Sequence, residues 1–150
     1  MENNNNDNDT REAIIRRTYK IHQEIDDGSR TTLNRLELND STLTEIKIGG
    51  GGSSDAYTRY ASSVGNEFDR LGTAIGKNSH LSDLHVSVAA SALDVSNQGF
   101  FEGLKRNSSI CSLLLDGRIR NQRSPLVGGI IHEILNAYQE NDNLTRLTIK

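Results

Sequence analysis

One cysteine, one proline and no tryptophan stand among the 150 residues, and no apolar stretch runs longer than a few positions. The single Cys111 has no intrachain partner, which excludes a disulfide scaffold. Nothing approaches the ~20 apolar residues a helix needs to cross a bilayer, so a membrane span is excluded too. The chain opens on Met1-Glu2, four asparagines and Asp7-Asn8-Asp9. That start has neither the basic residues nor the apolar run of a secretory signal, and a reducing, cytoplasmic location is expected. Charge of one sign is also lacking: 17 basic against 20 acidic side chains leave a formal −3, with no general attraction to nucleic acid or anionic lipid. At this length one domain is expected, burying roughly two thirds of its unfolded surface.

What the sequence does have is a repeat, and the repeat decides the fold. Residues 39–48, 78–86, 107–115 and 141–149 superimpose without gaps, each with an aliphatic residue at 0, +3 and +5. Position 0 falls at Leu43, Leu81, Ile110 and Leu144, so the units are 38, 29 and 34 residues apart. The register extends upstream. Ten residues before position 0 stand Leu33, Leu71, Phe100 and Ile134; six before stand Glu37, Ile75, Leu104 and Tyr138. In the second unit Val64, Phe68, Leu71 and Ile75 are spaced as one face of a helix, and Ile130, Ile131, Ile134, Leu135 and Tyr138 follow the same logic in the fourth.

Each unit therefore reads as a helix followed by a short strand. Asp40, Asn78, Asn107 and Asn141 stand at the join; Asn and Asp tolerate the left-handed conformation, which predicts a left-handed stop at these four positions. Such a unit cannot bury its apolar face alone, only against the next copy, so the expectation is an α/β solenoid of about four helix–strand units with a parallel sheet. Its strands are expected near 43–48, 81–86, 110–115 and 144–149. Residues 1–9 read as a disordered Asn-rich tail, 10–28 as an N-terminal capping helix carrying Ile14, Thr18, Ile21 and Ile25, and 29–150 as the solenoid, with a short helix over about 31–38. Gly49 to Ser54, residues 87–97, and Asp116 to Pro125 with Arg118, Arg120 and Arg123 read as loops between units.

The Leu-x-x-Leu-x-Leu runs, preceded by a helix ending in Lys/Arg-Asn-Ser, resemble the ribonuclease-inhibitor-like class of leucine-rich repeats. Phe100-Phe101-Glu102-Gly103-Leu104-Lys105-Arg106-Asn107-Ser108-Ser109-Ile110-Cys111-Ser112-Leu113 is the best match. Residues 39–48 are also similar to the opening repeat of tropomodulin-type domains, and the resemblance covers about 30–150. It implies a sheet on the concave face of the solenoid and a role in protein binding. Repeats of this class usually place Asn or Cys eight residues after the first Leu, where the side chain ties neighbouring turns together. Here Gly51, Ala89 and Arg118 stand there, so that ladder is expected to be missing or substituted.

No motif for catalysis, metal or cofactor emerges. Gly72-Thr73-Ala74-Ile75-Gly76-Lys77-Asn78 has three residues between its glycines and Asn after its Lys, where a phosphate loop needs four and Ser or Thr, and it lies inside a periodic helix. His132-Glu133 lacks a second His at zinc-helix spacing; His22, His80 and His85 sit in other elements, and Cys111 has no base near it in sequence. The sequons at Asn39, Asn107 and Asn143 coincide with the turns and read as turn chemistry. Arg11, Arg16, Arg17 and Lys20 beside Ile14, Ile15, Ile21 and Ile25 would suit a membrane-surface helix, but a polar-faced cap over the first unit is the simpler reading.

In parallel strands the residues between the core aliphatics point to the other face. These are Glu45 and Lys47, Asp83 and His85, Ser112 and Leu114, Arg146 and Thr148. They make a mixed-charge surface with one apolar spot and no group placed for proton transfer. The expected role is thus a non-enzymatic protein-interaction module, without cofactor, binding a protein partner on its concave face. The alternative is a structural or cytoskeletal, actin-capping-like repeat domain, or a truncated repeat array. Lys150 follows the last strand directly, which predicts continuation of the array, truncation, or edge-to-edge pairing of two copies.

Overall fold

The computed structural model describes residues 13, 14, 16, 31–49, 59–60, 66–88, 91, 93–117, 125–139 and 141–150. The Asn-rich tail, all of the expected capping helix except 13, 14 and 16, the glycine-rich loop beyond Gly49 and the loop carrying Arg118, Arg120 and Arg123 lie outside the described residues, as do Gly51 and Ala89. Residues 13, 14 and 16 are helical.

Helix α1 is described over 31–37 and leads into β1 (Glu45–Ile48). There follow β2 (Arg59–Tyr60), α2 (Asn66–Lys77), β3 (Asp83–Ser87), α3 (Gln98–Arg106), β4 (Ser112–Asp116), α4 (Pro125–Tyr138) and β5 (Arg146–Ile149). All pairings are parallel, in the order β2-β1-β3-β4-β5. The aligned residues of the four sequence units are the paired residues of the sheet: Ile46 lies beside Leu84, Leu84 beside Leu113, and Leu113 beside Leu147. The strands begin two residues later than the repeats suggested, because the position-0 aliphatics Leu43, Leu81 and Ile110 are buried in the turns that lead into them. The fifth strand, β2, has no counterpart in the repeat pattern; its two residues pair with Lys47 and Ile48 on the outer side of β1.

One face of the sheet builds the core. Ile46, Ile48, Leu84, Val86, Leu113 and Leu115 are buried together with Leu36 of α1, Phe68, Leu71 and Ile75 of α2, Phe100 and Leu104 of α3, and Ile130 and Ile134 of α4. The Phe68 and Phe100 rings meet edge to face at 6.1 Å between centroids, a favourable arrangement for aromatic quadrupoles.

Helices α2 and α3 approach closely because glycines face each other. A Cβ built on Gly72 would run into the Gly99 carbonyl oxygen and Phe100 Cα, and one on Gly103 into the carbonyl of Gly72. At Gly76 it would lie 3.1 Å from the Gly103 oxygen. The two Gly-x-x-x-Gly pairs, 72/76 and 99/103, thus put backbone against backbone. The segment weighed as a phosphate loop is the C-terminal half of α2 and Asn78 after it, with its glycines consumed by this contact.

The turns from helix to strand correct the expectation of left-handed stops. Asn39 is the only described non-glycine residue with positive φ (52°), and Asn107 is extended (φ −71°, ψ 129°). The asparagines act through their side chains. Asn107 Oδ1 accepts from the N–H groups of Ser109 (2.9 Å) and Ile110 (2.8 Å), while its Nδ2 donates back to the carbonyls of Ile75 (2.7 Å) and Asn78 (2.9 Å) in the preceding unit. Asn78 accepts from His80 and Leu81 and reaches back to Leu36 O; Asn141 accepts from Asn143 and donates to Asn107 O at 2.8 Å. The inter-turn ladder expected to be missing or substituted is therefore present, moved to the three asparagines of the turns. Asp40 fills the place in the first unit, where it receives Thr42 N–H and the Arg35 guanidinium instead. The sequon at Asn107 is buried with both amide hydrogens' partners in place.

Candidate functional site

The sheet face opposite the helices carries the eight residues singled out in the sequence, because residues alternate between faces along a strand. Register aligns them in two rows. Glu45, Asp83, Ser112 and Arg146 form the first; Lys47, His85, Leu114 and Thr148 form the second. With neighbouring strands ~4.8 Å apart, each row spans roughly 14 Å. Glu45 and Arg146 are exposed and the other six half-buried. All eight are brought together on one surface.

The first row is dipolar, acidic on β1 and β3 and basic on β5. Lys47 Nζ lies 3.4 Å from Glu45 Oε1, and Ser82 Oγ donates to Asp83 Oδ2 at 2.6 Å. In the second row His85 sits between Lys47 and Leu114. Its Nε2 is buried and has no hydrogen-bond partner among the described residues. Burial holds its pKa below the usual histidine value, with Lys47 and Lys150 pushing the same way against Asp116 and Glu45. His85 thus puts a buried ring nitrogen without a hydrogen-bond partner among the described residues at the centre of the face.

Sequence reasoning missed a third row. Ser87 pairs with Asp116, and Lys150 extends β5 alongside, its N–H donating to Leu115 O and its carbonyl accepting from Gly117 N–H. Carrying the period of two one step further along each strand would have found it.

Other candidates are weaker. On the helical side a groove of about 360 Å³ is lined by Glu37, Arg70, Thr73, Ala74 and Lys77. Its main charges are spent on each other: Arg70 binds both oxygens of Glu37 (2.7 and 2.8 Å), which holds the Glu37 carboxyl below the usual range. Cys111 lies half-buried in the turn before β4, its Sγ 3.7 Å from Ser82 O. Among the described residues no three His, Cys, Asp or Glu side chains are grouped to hold a metal ion, and no helix is long and apolar enough to cross a membrane.

No family model and no curated protein matches the sequence. Among solved structures the chain is similar to one described as Leiomodin-1 Actin-Binding Site 2, with a TM-score of 0.51 and 20% sequence identity over 79% of this chain. It spans 59% of that structure's length. The likeness is one of fold: helices and parallel strands in alternation, as the repeat resemblance implies.

Proposed function

We propose that this chain is a leucine-rich-repeat solenoid of the ribonuclease-inhibitor-like class, acting in the cytoplasm without catalysis by binding a protein partner across the open, concave face of its sheet. The observation that carries this reading is the pair of register rows: eight side chains of mixed charge, with Leu114 as an apolar spot, on a surface roughly 14 Å wide. A flat array of donors, acceptors and one aliphatic group suits recognition by shape and charge. The balanced charge favours a protein over nucleic acid as partner.

A cytoskeletal role stands about level with this general reading. It is favoured by the fold likeness to a structure whose description names actin binding and by the tropomodulin-like character of residues 39–48. Both readings are tested with one variant, Glu45→Ala, Asp83→Ala, His85→Ala and Arg146→Ala combined. Purified actin, monomeric and filamentous, is titrated onto labelled wild type and variant, and cytosolic proteins are captured on both in parallel. Saturable binding of actin, weakened at least about tenfold in a variant that melts like wild type, establishes the cytoskeletal reading. A different partner, held by wild type and lost by the variant, establishes the general one. Equal binding to both baits removes the open face as the site.

A further inference from the structure

The first row of the open face segregates its charge. Glu45 and Asp83 stand side by side on β1 and β3, and Arg146 stands on β5, two strands beyond Asp83, with Ser112 of β4 between them. At ~4.8 Å per strand, Arg146 lies roughly 10 Å from Asp83 and roughly 14 Å from Glu45. Like charges side by side on neighbouring strands repel, and the fold answers only half of the acidic pair. Lys47 reaches Glu45 at 3.4 Å. The Asp83 carboxylate has the Ser82 hydroxyl but no cation, and the Arg146 guanidinium has no anion, among the described residues.

Beside this row, on β4 and half-buried, lies Leu114. Acid, aliphatic spot and base therefore follow one another across the strands. A wholly basic partner surface would meet Arg146, and a wholly acidic one would meet Glu45 and Asp83, so neither matches the row from end to end. We infer that the open face takes an amphipathic helix of a partner protein, laid across the strands, with cations near one end over Glu45 and Asp83, an aliphatic residue over Ser112 and Leu114, and a carboxylate near the other end over Arg146. This rests on the reading of the open face as a protein-binding surface and adds the chemistry of what binds there.

Spacing selects a helix over an extended segment. The strands beneath advance by ~4.8 Å each, and a helix laid across them presents one side chain per turn, about every 5.4 Å, at i, i+4, i+7 and i+11. Over the three steps from β1 to β5 the mismatch grows to roughly 2 Å, which a long Lys, Arg or Glu side chain absorbs. An extended segment presents same-face residues about every 6.6 Å and falls out of step by roughly 5 Å, a whole strand, over the same distance. The width agrees as well. Successive rows are about 6.6 Å apart along the strands, so a helix roughly 10 Å across covers the first row and Leu114 together.

Two synthetic alanine-based helical peptides of identical composition test this, each about 20 residues long and shown to be helical by circular dichroism. In the segregated peptide, lysines stand at i and i+4, leucine at i+7 and glutamate at i+11. In the interleaved peptide the same four places read lysine, glutamate, lysine, leucine. Each is titrated into the isotope-labelled full chain, and amide resonance shifts are followed at Ser112 and His85 in the middle of the face. The segregated peptide is expected to bind at least about tenfold more tightly at low salt, with a lead that shrinks once the Debye length falls to ~10 Å at about 0.1 M. Arg146→Glu makes the row wholly acidic and should abolish the lead. Glu45→Lys, Asp83→Lys and Arg146→Glu combined reverse the row and should restore it, since the same peptide then lies the other way round; recovery in the triple variant separates loss of charge order from loss of fold. Equal binding of the two peptides, a lead that survives Arg146→Glu, or no shift with either peptide up to about 5 mM overturns the segregated helix as occupant. Those results leave the broader reading standing, because that reading falls only if wild type and the four-alanine variant capture partners equally.

Discussion

Asn107 does two jobs at one position, and neither is legible from its spacing. As a turn residue it caps Ser109 and Ile110 N–H; as a tie between units it supplies hydrogen to the carbonyls of Ile75 and Asn78. The sequence shows Asn or Asp recurring at this place, and left-handed tolerance is the common reason for such a residue at a helix end. What the sequence lacks is the distance to the previous turn, which exists only once the units are stacked. Aspartate in the first unit fits the ladder, since its carboxylate can accept from Thr42 but has no hydrogen for a carbonyl. Asn107→Ala would leave the N–H groups of Ser109 and Ile110 without their acceptor, while Ile75 O keeps Asn78 N–H and Asn78 O keeps Ser109 Oγ. At ~1–3 kcal/mol for each unmatched buried group, partly relieved by water and relaxation, the expected loss is roughly 3 kcal/mol, measured by urea denaturation. Asn141→Ala, at a half-exposed turn with fewer bonds, should cost roughly a third of that on the same scale.

At the scale of elements, the helices and the four repeat strands were legible because apolar positions recur at 0, +3 and +5 and again at −10 and −6, so one pattern fixes both periodicities. Glu37, the odd member of the −6 set, proves to be a surface partner of Arg70. Two features escaped. Strand β2 is two residues long and owes its pairing to β1 alone. The glycine contact of α2 and α3 is the second: its partners stand 27 positions apart, a relation that stacking alone reveals. Their packing yields a contrast within one residue type. Gly103→Ala gains helix propensity of ~1 kcal/mol but drives a methyl group into the Gly72 carbonyl. Overpacking between two backbones that cannot yield costs at least roughly 3 kcal/mol, so a net loss of roughly 2 is expected. Gly128→Ala, in α4 with nothing within 4 Å of its added Cβ, should stabilise by about 0.5–1 kcal/mol. Paired thermal melts decide it; if both substitutions stabilised, the close approach of α2 and α3 would not be a real constraint.

For the molecule as a whole, units joined only to their neighbours should not be equally stable. Strands β3 and β4 are flanked on both sides and present fully buried or nearly buried residues to the helices, whereas β5 has one partner strand among the described residues and an exposed apolar face. The sequence already placed all eight open-face residues in register but could not rank the units, since the fourth repeat matches the pattern as well as the others do and differs only in how far Leu147 and Ile149 are buried. Hydrogen exchange makes the ranking measurable with equivalent amides. Ser112 N–H donates to Ser82 O, and Arg146 N–H donates to Cys111 O one unit later, both at 3.0 Å. Equal bonds in an all-or-none molecule would exchange together through global unfolding. In a stack that opens first at its less buried unit, Arg146 exchanges through a local opening that removes β5 while β3 and β4 stay paired. The expected difference is at least about 100-fold, equivalent to ~2.7 kcal/mol of extra protection for Ser112.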